Sequence, residues 1–132
     1  MSVRRYAAAA LFAGLAACSD NGPTAGDLSV QLASPNTGIE RAILVSVKGR
    51  ITNVTAPAGA AYGIAFHLFA GDSAHVTVIA PAGQFLAAGG LVRIRVNDVS
   101  KAASFSARVL EVIAADYVPL GGTGYVLSVI KP

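Results

Sequence analysis

From Leu28 to the C-terminus, apolar and polar residues alternate in short runs, and each run ends in a cluster of turn-forming residues. Leu28, Val30 and Leu32 share one face before Ser34-Pro-Asn-Thr-Gly38 breaks the pattern. Ala42 to Lys48 is the next run, closed by Gly49, and Ile51 to Thr55 follows with Ala56-Pro-Ala-Gly59 as its exit. Tyr62, Ile64, Phe66 and Leu68 alternate with Gly63, Ala65, His67 and Phe69 until Gly71-Asp72-Ser73. Ala74 to Ala80 is then the partner strand of a hairpin. Gln84 to Gly90 reads as a connection leading into Leu91–Val96, where Val92, Ile94 and Val96 point one way and Arg93 and Arg95 the other, the pattern of a half-buried strand. Asn97 to Lys101 turns the chain into Ser104–Ile113. A short run at Tyr117-Val118, a turn at Gly121-Gly-Thr-Gly124 and a last strand, Tyr125–Ile130, complete the series. In Ser104–Ile113, β-branched residues and period-two alternation outweigh a helical stripe. Eight or nine short strands at regular spacing predict an all-β fold, a two-sheet antiparallel β-sandwich.

The first residues follow another pattern. Arg4 and Arg5 precede an unbroken apolar run from Tyr6 to Ala17, the charged and apolar regions of a secretory signal. The run stops at Cys18, before Ser19-Asp-Asn-Gly-Pro23, and is too short to span a bilayer. Leu15-Ala16-Ala17-Cys18 resembles the lipobox of bacterial lipoproteins, in which cleavage precedes a lipid-modified cysteine. The resemblance implies a signal peptide at 1–17, lipidation at Cys18 and membrane attachment through that anchor. Residues 18–27, small and polar, read as a flexible tether, and 28–132 as the β-sandwich domain. Two or more acyl chains at Cys18 would anchor the protein stably without spanning. Ser19, in the place where an Asp favours inner-membrane retention, tilts the expected location of this cell-envelope protein towards the outer membrane, in the periplasm or on the surface.

Composition changes the picture once the leader is set aside. The chain has 132 residues, 54% of them apolar and 13% charged, a composition opposed to intrinsic disorder. Its net charge of +3 falls to +1 without Arg4 and Arg5, so no nucleic-acid partner is expected. Cys18 is the only cysteine, which removes disulfide, thiolate-metal and cysteine-nucleophile chemistry from the domain. Zinc wants three or four ligands, and His67 and His75 with Asp72 supply a weak case for them, so no metal or other cofactor is expected. No Gly-x-Ser-x-Gly elbow surrounds a serine. Glu40, Asp72, Asp98, Glu111 and Asp116 are scattered one per turn or strand end, without the paired carboxylates of a glycosidase. Asp98 and Asp116 read as turn formers, and Gly121–Gly124 as a turn without a following helix to bind phosphate. No enzyme is expected.

The order of elements resembles the cohesin-like and related carbohydrate-binding β-sandwiches. The likeness rests on Ile51-Thr-Asn-Val54 before a hairpin, the glycine-led strand Gly89–Val96, Val109–Asp116 and Gly124-Tyr-Val-Leu-Ser-Val129. It implies a fold and not a partner. Sugar-binding sandwiches stack their ligands on flat aromatics, and this chain has no Trp. The candidate ligand surface is Arg93, Arg95, Tyr62 and Tyr117, with Lys48, Arg50 and Arg108 extending the arginines into a basic strip. The expected function is a lipid-anchored envelope module that presents a sandwich surface to a protein or polysaccharide partner. A structural or assembly protein of the envelope without a small-molecule ligand is the alternative.

Overall fold

In the computed structural model, residues 22–36 and 38–132 are described, and the predicted signal peptide, Cys18 and the first part of the tether lie outside them. Among the described residues, eight strands form two four-stranded antiparallel sheets. They are β1 (Gly26–Ala33), β2 (Glu40–Lys48), β3 (Asn53–Thr55), β4 (Gly63–Phe69), β5 (Ser73–Ile79), β6 (Gly89–Val96), β7 (Ser106–Ala114) and β8 (Val126–Ile130). The first sheet runs β3-β6-β1-β8 and the second β4-β5-β2-β7. Only β4 and β5 are consecutive neighbours within a sheet, and every other connection crosses between the layers. The sheets therefore share one core and cannot separate as independent units.

Alternation builds that core. Leu28, Val30 and Leu32 of β1 and Val92, Ile94 and Val96 of β6 face Ile43, Val45 and Val47 of β2 and Ala74, Val76 and Val78 of β5, all buried. At about 25 cal/mol per Å² of apolar surface, this double layer is the main stabilising term. Both sheets and the core cluster fall within Gly26–Ile130, so the described residues carry a hydrophobic core of their own.

The departures from simple alternation are local. The register between β1 and β6 shifts at Val30/Gln31, and Leu91 at this irregularity is fully buried next to the equally buried Val92. A second shift, where β7 passes Leu44 and Val45, leaves Leu110 exposed and returns Val112 to the core. An extra residue in one strand of a ladder has this effect on every side chain beyond it. The predicted run Ile51–Thr55 pairs only over Asn53–Thr55, and Val99–Ser104 forms a short 3-10 helix where a turn and the start of a strand were expected. Asp98 starts that helix by accepting from the Ser100 N–H, a local side-chain bond that competes with strand pairing. Tyr117-Val118 is a turn rather than a strand. At the other end, β1 begins at Gly26, two residues inside the expected tether.

The strand directions give the sandwich two poles. Gly22–Thr24, the Gly49-Arg50 turn, the β4–β5 hairpin turn, the 3-10 helix and the C-terminal Lys131-Pro132 gather at the basal pole. The β1–β2, β3–β4, β5–β6 and β7–β8 connections gather at the opposite, distal pole.

Candidate functional site

Three distal connections carry apolar residues that the core does not use. In the β5–β6 connection, Gln84 N–H donates to the Pro81 carbonyl at 2.9 Å, and Leu86 N–H donates to the Glu40 carbonyl at 2.8 Å. Leu86 is buried, which turns its neighbour Phe85 outward. The Arg41 guanidinium holds the same loop from below, donating to the carbonyls of Pro81 and Gln84.

The β7–β8 connection is fastened just as closely. Tyr117 N–H donates to the Ala114 carbonyl and Ala114 N–H to the Val118 carbonyl, each at 3.0 Å, while the Asp116 carboxylate accepts from Val118 N–H at 3.2 Å. This tight turn holds Tyr117 at φ 64°, the one non-glycine residue with positive φ among those described, with its side chain 84% exposed. A left-handed conformation costs an L-residue about 1–2 kcal/mol. Strain of this kind persists where surrounding bonds impose it, and it clusters at sites that bind.

The third connection, β1–β2, contributes Ile39. Here the next residue, Glu40, is buried, and its carboxylate accepts from the Ser34 hydroxyl, the Ile39 N–H at 3.2 Å and the Tyr125 hydroxyl at 3.4 Å. Asn36 donates to the same tyrosine oxygen at 3.3 Å. A buried carboxylate needs such partners to offset its lost hydration, and these tie the β1–β2 loop to the start of β8. Together Ile39, Phe85, Val118 and Leu120 line a shallow pit of about 440 Å³, with Tyr117 standing beside it.

The predicted site residues are divided among different surfaces. Arg93 and Arg95 lie on the outer face of the first sheet. Arg95 stands 3.7 Å from the Asp27 carboxylate, and the two arginines have Asn53 and Thr55 beside them in the ladder. Tyr62 is half-buried and its hydroxyl accepts from Ala87 N–H at 3.0 Å, so it braces the distal loops from the side. Tyr117 alone projects from the rim. The expected basic strip is split, because Lys48 and Arg108 belong to the second sheet, across the core from Arg93 and Arg95. Glu40 stands at a strand end, as its position in the sequence suggests, but it is buried and pins the loops together. Period-two patterning could not single out Ile39 and Phe85, which lie in turn segments. The available signal was apolar residues inside connections that are otherwise polar.

At the basal pole a cleft of about 510 Å³ is lined by Lys48, Arg50, Asp72, Asp98, Lys101 and Phe105 among others. Arg50 and Asp72 approach to 3.8 Å in full solvent, a pairing of little energetic weight. Asp98 has its carboxyl held below the usual carboxylate value. The Ser100 side chain does most to stabilise the ionised form; desolvation opposes it, and the backbone amides of Ser100 and Thr24 and the charge of Lys101 add to the lowering. These bonds fasten the entering chain to the 3-10 helix, as does the Val99 N–H to Thr24 carbonyl bond at 2.9 Å.

His67 and His75 face each other directly in the β4–β5 ladder, on the outer face. Phe69 stands against both rings edge to face, with centroids 4.7 Å away in each case. Among the described residues, no three His, Cys, Asp or Glu side chains gather as a metal site. No family model, no curated protein and no solved structure matches this chain.

Proposed function

We propose that this chain is a lipid-anchored, cohesin-like binding module of a bacterial cell envelope, with Cys18 as the anchor and the distal rim as its contact surface for another protein. The observation that carries the reading is the position of Tyr117. It is strained, firmly fastened and almost fully exposed beside Phe85 and Ile39, at the pole opposite the one where the chain enters from Cys18. An anchor below and an apolar rim above give each end of the domain one task. Aromatic anchors beside a shallow apolar pit are common at the centre of protein–protein contacts. The rim is mostly aliphatic and Tyr117 is its only sugar-stacking ring apart from Phe85, so a protein partner fits it better than a polysaccharide.

A crosslinking pull-down from intact cells, comparing the native chain with Cys18→Ala, tests the anchoring half. The native form is expected in the membrane fraction with its partner, and Cys18→Ala in the soluble fraction. Recovery of both forms with the same partners from the same fraction would overturn it.

A further inference from the structure

The two sheets have four edge strands, β3 and β8 in the first and β4 and β7 in the second. An open edge presents unpaired N–H and C=O groups, and proteins commonly shield it with charge, shortness, proline or bulges. Three of these edges are shielded in one of those ways. β3 pairs over three residues, β7 carries Arg108 and Glu111 and a bulge at Leu110, and β8 is short and runs into Lys131-Pro132. β4 has none of these features. Its seven residues, Gly-Ile-Ala-Phe-His-Leu-Phe, contain no Asp, Glu, Lys, Arg or Pro and pair with β5 without a shift.

The side chains of β4 are equally incomplete. Ile64, Phe66 and Leu68 lie opposite Val78, Val76 and Ala74, on the core side of the sheet. Yet Phe66 is 41% and Leu68 38% exposed. The first sheet ends at the three-residue β3, which leaves the sandwich open along this side.

We propose that β4 pairs with β4 of a second copy of this chain, antiparallel and centred on Phe66, joining the two second sheets into one of eight strands. The sequence of the strand favours its own copy. About Phe66, Ile64 falls opposite Leu68 of the other copy and Ala65 opposite its His67, so apolar meets apolar and no histidine faces a histidine. A two-fold axis through such a pair keeps the core-side residues of both copies on one face, where Phe66 meets its own copy and Leu68 is covered by Ile64. The pairing creates a closed dimer with no new open edge at β4, and its two-fold axis sets the basal poles of the two chains at opposite ends, so it forms between chains that do not share one membrane surface. One strand pair makes a small contact, so association is expected in the micromolar range.

Sedimentation velocity of residues 22–132, from micromolar concentration up to about 1 mM, should show the mass rising to twice that of one chain. Phe66→Lys should remain single throughout, whereas Ile130→Lys, at the exposed end of β8, should associate like the native chain. Residues 22–132 contain no cysteine, so single substitutions report the register. Phe66→Cys should crosslink to itself on mild oxidation, because facing Cα atoms stand about 5 Å apart. Ile64→Cys should not, its copies being about 14 Å apart, but mixed with Leu68→Cys it should. A single chain at every concentration, association undiminished in folded Phe66→Lys, or equal self-crosslinking by Ile64→Cys would overturn the proposal. If Phe66→Lys fails to fold, the cysteine series decides.

Discussion

A substitution at Tyr117 distinguishes a residue that stabilises the fold from one that makes the proposed contact. A glycine at this position adopts positive φ without steric cost, so Tyr117→Gly should leave stability unchanged or raise it by up to about 1 kcal/mol. The same change should abolish partner capture, and parallel thermal melts and pull-downs check both halves. A fall in stability together with capture would make Tyr117 a packing residue. Asp98 supplies a second test with a defined sign. Its carboxyl is held below the ordinary value of 3.8, so the stabilisation is present above that pH and lost as pH falls through the lower folded value. Melting curves of the native chain and Asp98→Asn should differ at pH 7 and converge in strong acid. A difference that persists there would mean that the carboxylate charge is not the cause. Both aspartates were legible in the sequence as turn formers, because a short carboxylate next to a turn bonds its own backbone. Glu40 was not legible, since its burial depends on Ser34 and Tyr125, the latter 85 residues away, converging on it.

Elements were legible wherever alternation ran unbroken. β1, β2, β5 and β6 all appear in the sequence as period-two runs closed by turn residues, and the Gly71-Asp72 turn marks the hairpin that joins β4 to β5. The ladder irregularities were hidden, because an inserted residue changes facing without changing composition. The 3-10 helix was hidden for another reason: Ala102 and Ser104 fit either state, and the Asp98 cap decides between them. Close contact between elements also sets one strict requirement at Gly49, which has φ 133° and a backbone N–H donating to the Asp72 carbonyl at 2.6 Å. A Cβ there would run into the Phe105 ring. Gly49→Ala combines backbone strain with overpacking, and a loss of more than about 2 kcal/mol is expected in denaturant unfolding. An unchanged midpoint would show that the Phe105 ring can move aside.

At the scale of the molecule, the crossing connections place the entering chain and the distal rim at opposite poles of one rigid sandwich. The two-sheet architecture was legible from strand count and spacing. The rim was not, because it is assembled from three connections separated by dozens of residues, each of which reads as an ordinary turn. The same distance divided the expected basic strip, since residues adjacent in a list of charges can lie on opposite layers. On the proposed function, this chain binds a protein through the distal rim, at the pole opposite Gly22–Thr24. Site-specific photocrosslinking in intact cells tests it most directly, with the photoreactive group placed at Phe85 on the rim or at Thr55 on the flank. An adduct from Phe85 that disappears with Tyr117→Gly is expected, and none from Thr55. Equal adducts from both positions, no adduct from Phe85, or a Phe85 adduct that survives Tyr117→Gly would contradict it.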